Sequence, residues 1–252
     1  MQRYFETELL DVKNFELPKE IYKHAIVVMR AKVGDHFELV TADQKVHLME
    51  VTAITKTAAT AKEIEVFEQL TELPVETTIV CGLSKGDKAE FIVQKGTELG
   101  ADHFVFFKGE YSVAKWDDKK QKKKLARLEK IALAAAEQSH RTTIPTVAYL
   151  SSLQELTLAA DEKGLIAYEE AAKEGEKGAL VTLLKEIKVA PKETKRPKLQ
   201  AIFGPEGGLA FQEVTALEER GYIRAGLGPR IMRAETAPLY LLSSLSFALE
   251  LR

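Results

Sequence analysis

Ala201-Ile202-Phe203-Gly204-Pro205-Glu206-Gly207-Gly208 sets an apolar, strand-like run directly against a turn holding three glycines and a proline. A helix-like segment, Phe211–Arg220, follows it, then a second strand-like run, Tyr222–Leu227. That run enters Gly226-Leu227-Gly228-Pro229 and continues as Arg230-Ile231-Met232-Arg233-Ala234-Glu235-Thr236-Ala237. A glycine-rich loop between strand and helix lets the backbone approach a ligand closely and turns free N–H groups towards it. In an open α/β sheet, ligands bind beyond the carboxyl ends of the strands. The second loop follows the next strand, so it is expected beside the first, the two forming one pocket. Two tight turns without a ligand are the alternative. The first loop is not a Walker A sequence, because no Gly-Lys-Ser/Thr follows at the required spacing. Nor does it have the G-x-G-x-x-G spacing of a dinucleotide site, which would also follow the first strand of its domain.

Working outward, the same half of the chain alternates strand-like and helix-like segments. Thr77–Leu83, His103–Phe107, Ile144–Leu150, Leu165–Tyr168 and Leu199–Phe203 read as strands. Asp87–Leu99 reads as a helix stopped by Gly100, and Lys119–Gln138 and Thr236–Leu251 read as longer ones. Such alternation implies βαβ units and a parallel sheet, an α/β fold. Residues 35–67 differ. Phe37 with Leu39, Val46 with Leu48 and Ile64 with Val66 alternate in short β-rich runs, which predict a small antiparallel sheet or barrel. Pro18 to Arg30 is expected to form one short helix, with Ile21, Ala25 and Val28 on a common face. Both patterns break at Glu68, Glu72 and Pro74, so the predicted domains are 1–70 and 74–252.

Composition narrows the function. The chain has 252 residues, 45% hydrophobic and 29% charged, an ordinary globular balance. A single cysteine, Cys81, excludes a disulfide framework or a cysteine-built metal site. His24, His36, His47, His103 and His140 lack metal-ligand spacing, so no metal is expected. No apolar run approaches the ~20 residues of a membrane span, and the N-terminus has no signal-peptide pattern. A soluble, cytoplasmic protein without membrane contact is predicted. The net charge of −2 means that any nucleic-acid contact must come from local patches. Lys119, Lys120, Lys122, Lys123, Lys124, Arg127 and Lys130 form one such run, against Glu129 alone. Lys185, Lys188, Lys192, Lys195, Arg196 and Lys198 form a second, against Glu186 and Glu193.

The paired motifs, Phe203 to Gly208 and Leu227 to Ala237, resemble the RsmE family. These are bacterial ribosomal RNA small-subunit methyltransferases of the SPOUT superfamily, which methylate N3 of a uridine in 16S rRNA. The resemblance extends through Lys85-Gly86-Asp87-Lys88, Gln94 to Gly100, and Glu137-Gln138-Ser139 with Arg141. It also takes in Arg3-Tyr4-Phe5 and His24 to Asp35, so it spans essentially the whole chain. Met232 stands where leucine is common in the family, an apolar replacement. The resemblance implies an N-terminal PUA-like β-barrel for RNA and a C-terminal SPOUT-type parallel sheet with a trefoil knot. It further implies bound S-adenosyl-L-methionine, a homodimer, and 16S rRNA or the small ribosomal subunit as partner. The cofactor would be held by Phe203, Gly204, Pro205, Glu206, Gly207, Gly208, Leu227, Gly228, Ile231, Met232, Thr236 and Ala237.

Methylating N3 requires loss of its proton, and donors near uridine O2 and O4 favour the anion that reacts. Arg230 and Arg233 are candidates for that role, or for gripping phosphate. Glu235 and Glu206 are candidates to orient donors or accept a proton, and Glu235 reads equally as a carboxylate at a helix N-terminus. Expected RNA contacts are Arg3, Arg30, Lys119, Lys120, Lys123 and Arg141. Trp116 and Tyr111 are read first as core or surface-turn residues, with base stacking as the alternative, and Cys81 reads as a buried structural thiol. Two rivals remain: a catalytically silent RNA-binding protein of the same fold, and a small-molecule enzyme binding an anion at the glycine loops. Retained glycines count against the first, and the separate β-rich domain counts against the second.

Overall fold

The computed structural model describes residues 1–6, 14–173, 178–187 and 195–251. These form two compact units, Met1–Glu72 with Ala136–Thr143, and Leu73–Ala135 with Ile144–Arg252. No helix among the described residues is long and apolar enough to cross a membrane.

In the first unit, β1 (Arg3–Phe5), β2 (Phe15–Glu16), β3 (His36–Val40), β4 (Val46–Ile54) and β5 (Ala59–Phe67) form one sheet in the order β1-β3-β4-β5-β2. β1 runs parallel to β3 and the other pairs are antiparallel. Alternation places Phe37, Leu39, Met49 and Val51 on the buried face with Tyr4 and Phe15. Register shifts at Leu48/Met49 and Val51/Ala53 interrupt the long β4–β5 pairing, the kind of irregularity that bends a sheet.

The helical segment between β2 and β3 departs from expectation. Helix α1 (Lys19–Tyr22) passes into a π-helix, Lys23–Val28, with the Met29 N–H donating to His24 O at 2.9 Å. Each i→i+5 turn holds more residues than an α turn. Val28 therefore falls short of the face shared by Ile21 and Ala25, and it is 58% exposed. Arg30 ends the segment in the left-handed region, φ 59°.

Arg3 and Arg141, expected from sequence to touch RNA, are instead buried, at 1% and 2% exposure. Arg3 Nε donates to Glu38 Oε2 at 2.9 Å and Nη1 to the carbonyls of His140 and Arg141, at 2.5 and 3.1 Å. Arg141 Nε donates to Glu72 Oε2 at 2.9 Å. The Thr142 and Thr143 N–H groups donate to the other Glu72 oxygen at 2.9 and 3.2 Å. A guanidinium committed in this way holds the unit together and offers little to a phosphate. Burial pushes the Glu72 carboxyl upward, but Arg141, the Thr142 N–H and the Thr143 side chain outweigh it and hold it below the usual range.

Among the described residues the second unit contains six strands, all parallel, in the order β11-β9-β10-β6-β7-β8. Their ranges are β6 (Glu76–Gly82), β7 (His103–Phe107), β8 (Thr146–Leu150), β9 (Glu162–Ala167), β10 (Lys198–Phe203) and β11 (Ile223–Ala225). Helices α2 (Lys88–Glu98), α3 (Asp118–Gln138), α4 (Glu169–Lys173), α5 (Ala179–Glu186), α6 (Phe211–Glu218) and α7 (Thr236–Glu250) alternate with them. As a doubly covered parallel sheet requires, the strands are apolar on both sides. Ile79, Phe104, Ala201 and Phe203 pack with Ile92 of α2 and Leu241 of α7. On the other side, Val80, Phe107, Ile166 and Ile202 pack with Val214 and Leu217 of α6. The predicted helix over 87–99 is α2, with Asp87 and Leu99 at its caps and Gly100 following at φ 92°.

One topological expectation is corrected. The strands that lead into the two glycine loops, β10 and β11, are not neighbours, because β9 lies between them. The carboxyl ends remain level: Phe203 pairs with Ala167 and with Cys81, and Ala225 pairs with Ala167.

Glu72→Gln tests the buried pair. A carboxyl depressed in the folded state contributes stability above its unfolded value of about 4.3 and loses it as pH falls through the folded value. Urea unfolding at neutral pH should show the variant about 3 kcal/mol less stable, because Arg141 is left buried without its counter-charge. The gap between variant and parent should close as pH falls below about 4.

Candidate functional site

Beyond the level strand ends lies a cavity of about 820 Å³ within the second unit. The loop after β10 supplies Phe203 to Leu209, the loop after β9 supplies Ala167 to Glu170, and the loop after β11 supplies Leu227 to Ala234. Lys88 and Ala237 complete the lining. Both glycine loops therefore face one space, although their strands are separated.

The first loop is held by backbone contact. A Cβ at Gly204 would sit 2.7 Å from the carbonyl carbon of Gly208 and 2.9 Å from the Leu209 nitrogen. Pro205 packs over Gly82 at the end of β6, where a Cβ would lie 2.4 Å from the proline Cδ. Glu213 secures the far side of the turn, accepting from Ala210 N–H at 2.8 Å and Glu110 N–H at 3.0 Å. In the second loop Gly228 has φ 100°, a conformation that side-chain-bearing residues rarely adopt.

Electrostatically the cavity is organised around Lys88. Its Nζ lies 2.9 Å from Glu206 Oε1 and 3.3 Å from Glu235 Oε2. The Lys85 N–H also donates to Glu206 Oε1, at 3.2 Å. The hydrogen bond with Glu206 raises the Lys88 pKa against a smaller opposing effect of burial. Burial works upward on Glu206, yet the Lys88 bond and backbone donors prevail and lower it. Glu235 occupies the N-cap position of α7 but makes no side-chain cap. Its Oε2 is shielded from solvent without an aligned hydrogen bond, facing the Lys88 ammonium at ion-pair distance.

Most of the residues expected at a cofactor converge here: Phe203 to Gly208, Leu227, Gly228, Ile231, Met232 and Ala237 all line the cavity. Thr236 does not. It begins α7, and its N–H donates to Arg233 O at 2.9 Å. Arg230 and Arg233 line the opening and are exposed. Lys88, Tyr168, Glu169 and Glu170 are cavity residues that no sequence pattern marks as such. The only hint of the lysine was its place in Lys85-Gly86-Asp87-Lys88.

Arg30, Lys119, Lys120 and Lys123 are exposed. Three members of the second basic run are ion-paired, Arg196 with Asp102 at 2.7 Å, Lys195 with Asp161 and Lys198 with Glu76, each at 3.6 Å, while Lys185 is exposed. Lys188, Lys192 and Glu193 lie outside the described residues. Trp116 packs between Phe106 and Tyr149, whereas Tyr111 is exposed beside Gly207. Cys81 is buried, and burial pushes its thiol pKa upward. Among the described residues no three His, Cys, Asp or Glu side chains converge as a metal site.

Comparison with known proteins assigns both parts of the chain. Residues 71–246 match the RNA methyltransferase domain, and residues 17–64 match the RNA methyltransferase PUA domain. The ribosomal RNA small subunit methyltransferase E of Bacillus subtilis is 41% identical, covering 100% of this chain and 98% of that one. That of Synechocystis is 30% identical, covering 88% and 69%. The same enzyme from Neisseria gonorrhoeae, solved bound to S-adenosyl methionine, aligns with a TM-score of 0.81 at 27% identity, covering 98% of this chain and 97% of its own. The chain belongs to the ribosomal RNA small subunit methyltransferase E family.

Gly204→Ala should disturb this cavity directly, because the atoms that a methyl group would meet are backbone and cannot rotate away. Chemical denaturation is expected to show a loss of about 1–3 kcal/mol, the usual cost of overpacking a tight site. Unchanged stability would mean that the turn has slack.

Proposed function

We propose that the protein methylates N3 of a uridine in 16S ribosomal RNA, using S-adenosylmethionine bound in the cavity at the carboxyl ends of β9, β10 and β11. One observation carries this: in a chain of this family, both glycine loops open onto a single cavity. The cavity suits the cofactor. Its volume, about 820 Å³, lies in the range for small-molecule sites. Its glycines let backbone close in on a ligand, and Leu227 and Met232 offer apolar contact for a purine. Glu169, Glu170 and Glu206 give the lining acidic groups for a cationic ligand.

In this reading the Phe203–Gly208 loop, Leu227, Gly228, Ile231, Met232 and Ala237 hold the cofactor. When bound it supplies a methyl group on a cationic sulfur. The chain positions the base and manages its proton. Arg230 and Arg233, exposed at the opening, donate to the uridine oxygens as N3 becomes anionic, which lowers the barrier. Glu235 is the carboxylate placed to orient a donor or take up the proton. Residues 1–70 serve as a PUA-like RNA-binding domain with Arg30 as a contact, and residues 74–252 as a SPOUT domain with a trefoil knot. Lys119, Lys120 and Lys123 add phosphate contacts. A homodimer working on cytoplasmic ribosomal RNA completes the proposal.

The alternative, a silent RNA-binding protein, is separated by calorimetry with S-adenosylmethionine, which should bind the active protein and not the silent one. Arg230→Ala and Arg233→Ala are expected to leave cofactor affinity close to the parent. Each should lower the single-turnover rate at saturating RNA by roughly 10²–10³. Normal rates in both variants would remove the arginines from the chemistry. Weaker RNA binding with a shallower salt dependence and an unchanged rate would make them phosphate contacts.

A further inference from the structure

Lys88 is the first residue of α2, and among the described residues it contributes the one ammonium group to the lining of the cavity. It reaches two carboxylates from distant parts of the chain: Glu206 in the loop after β10, and Glu235 at the entry to α7. Those residues belong to the two segments that face each other across the cavity. With no cation between them, two carboxylates would remain where a single ammonium now contacts both. Glu235 Oε2 is buried without an aligned hydrogen bond, and the Lys88 ammonium is the charge that faces it. The Lys85 N–H supports Glu206 alone. The other charged groups around the cavity are Glu169, Glu170, Arg230 and Arg233.

We propose that Lys88 is a positioning residue for methyl transfer: its ammonium clamps the Gly204–Gly208 loop to the turn entering α7 and sets the width of the cofactor cavity. The inference rests on that cavity being the S-adenosylmethionine site, as proposed above. Lysine suits the task because a compact point charge on a flexible stem can serve two acceptors at once. Methionine keeps much of the stem but leaves the carboxylates facing each other. The repulsion is relieved when one of them takes up a proton, so the defect should be greatest at high pH and lessen as pH falls.

Calorimetric titration of the full-length chain with S-adenosylmethionine, at about pH 5 and about pH 7.5, reads this directly. Lys88→Met should weaken binding by about ten- to a hundredfold at the higher pH, as expected when a site is displaced from its working geometry. Part of the loss should be recovered at the lower pH, and Lys88→Arg should restore most of the affinity at both. Parent-like binding by a folded Lys88→Met at the higher pH overturns the clamp. So does a loss that is equal at both pH values and not restored by arginine, which would make Lys88 a direct ligand. No binding by the parent chain would instead overturn the cavity assignment. Should Lys88→Met fail to fold, Glu235→Gln cuts one arm of the clamp with little change of shape. Weakened cofactor affinity in that variant supports the clamp, and parent-like affinity overturns it.

Discussion

Backbone touches backbone at Gly204, where a side chain would be driven to 2.7 Å from the Gly208 carbonyl carbon. This contact closes the loop after β10 on itself and seats Pro205 over Gly82 at the end of β6. The loop is thereby fixed to the sheet instead of extending into solvent. The sheet is suited to bear it, since its strands are buried on both sides and end level at Cys81, Phe203, Ala167 and Ala225. A small-molecule site built this way is held by main chain, and its side chains are left free to set charge and specificity.

Those side chains fall into two sets. Inside the site Lys88 bridges Glu206 and Glu235, one ammonium against two carboxylates, while Arg230 and Arg233 stand exposed at its opening. That division matches a proposed reaction in which a cationic cofactor sits deep and an anionic RNA approaches from outside. It also explains how a chain of net charge −2 can be matched to a polyanion. Charge distribution, not its total, decides where a phosphate is met. In the early turns of α3, Lys119, Lys122 and Lys123 are exposed while Lys120 pairs with Asp117 and Lys124 with Glu90. Near β10, Arg196, Lys195 and Lys198 pair with Asp102, Asp161 and Glu76.

Much of the α/β half was legible from sequence. His103–Phe107 is a strand as read, and α2 runs between its expected caps, because β-branched and aromatic runs bounded by glycine leave little choice. The glycine loops were legible as one pocket, although the intervening β9 was not, since strand order is not written in the order of the segments. Short α4 and α5 escaped because a helix of five or eight residues carries too little periodicity to read. Arg3 and Arg141 were misjudged for a different reason. Whether a cation faces solvent or a carboxylate depends on partners far along the chain, here Glu38 and Glu72. The Lys88 bridge to Glu206 and Glu235 was hidden in the same way. Val28 left its expected face because an i→i+5 turn replaced an α turn, which no propensity scale anticipates.

The proposed activity is delivery of a methyl group from this cavity to uridine N3 in small-subunit ribosomal RNA. The most direct measurement incubates the purified chain with methyl-labelled S-adenosylmethionine and 30S subunits from cells lacking the corresponding methyltransferase, then analyses the 16S nucleosides by mass spectrometry. The account predicts label in 3-methyluridine at one position, and none when the subunits come from cells that already carry the modification. Label in another nucleoside, or no transfer by a chain that binds the cofactor, would contradict it.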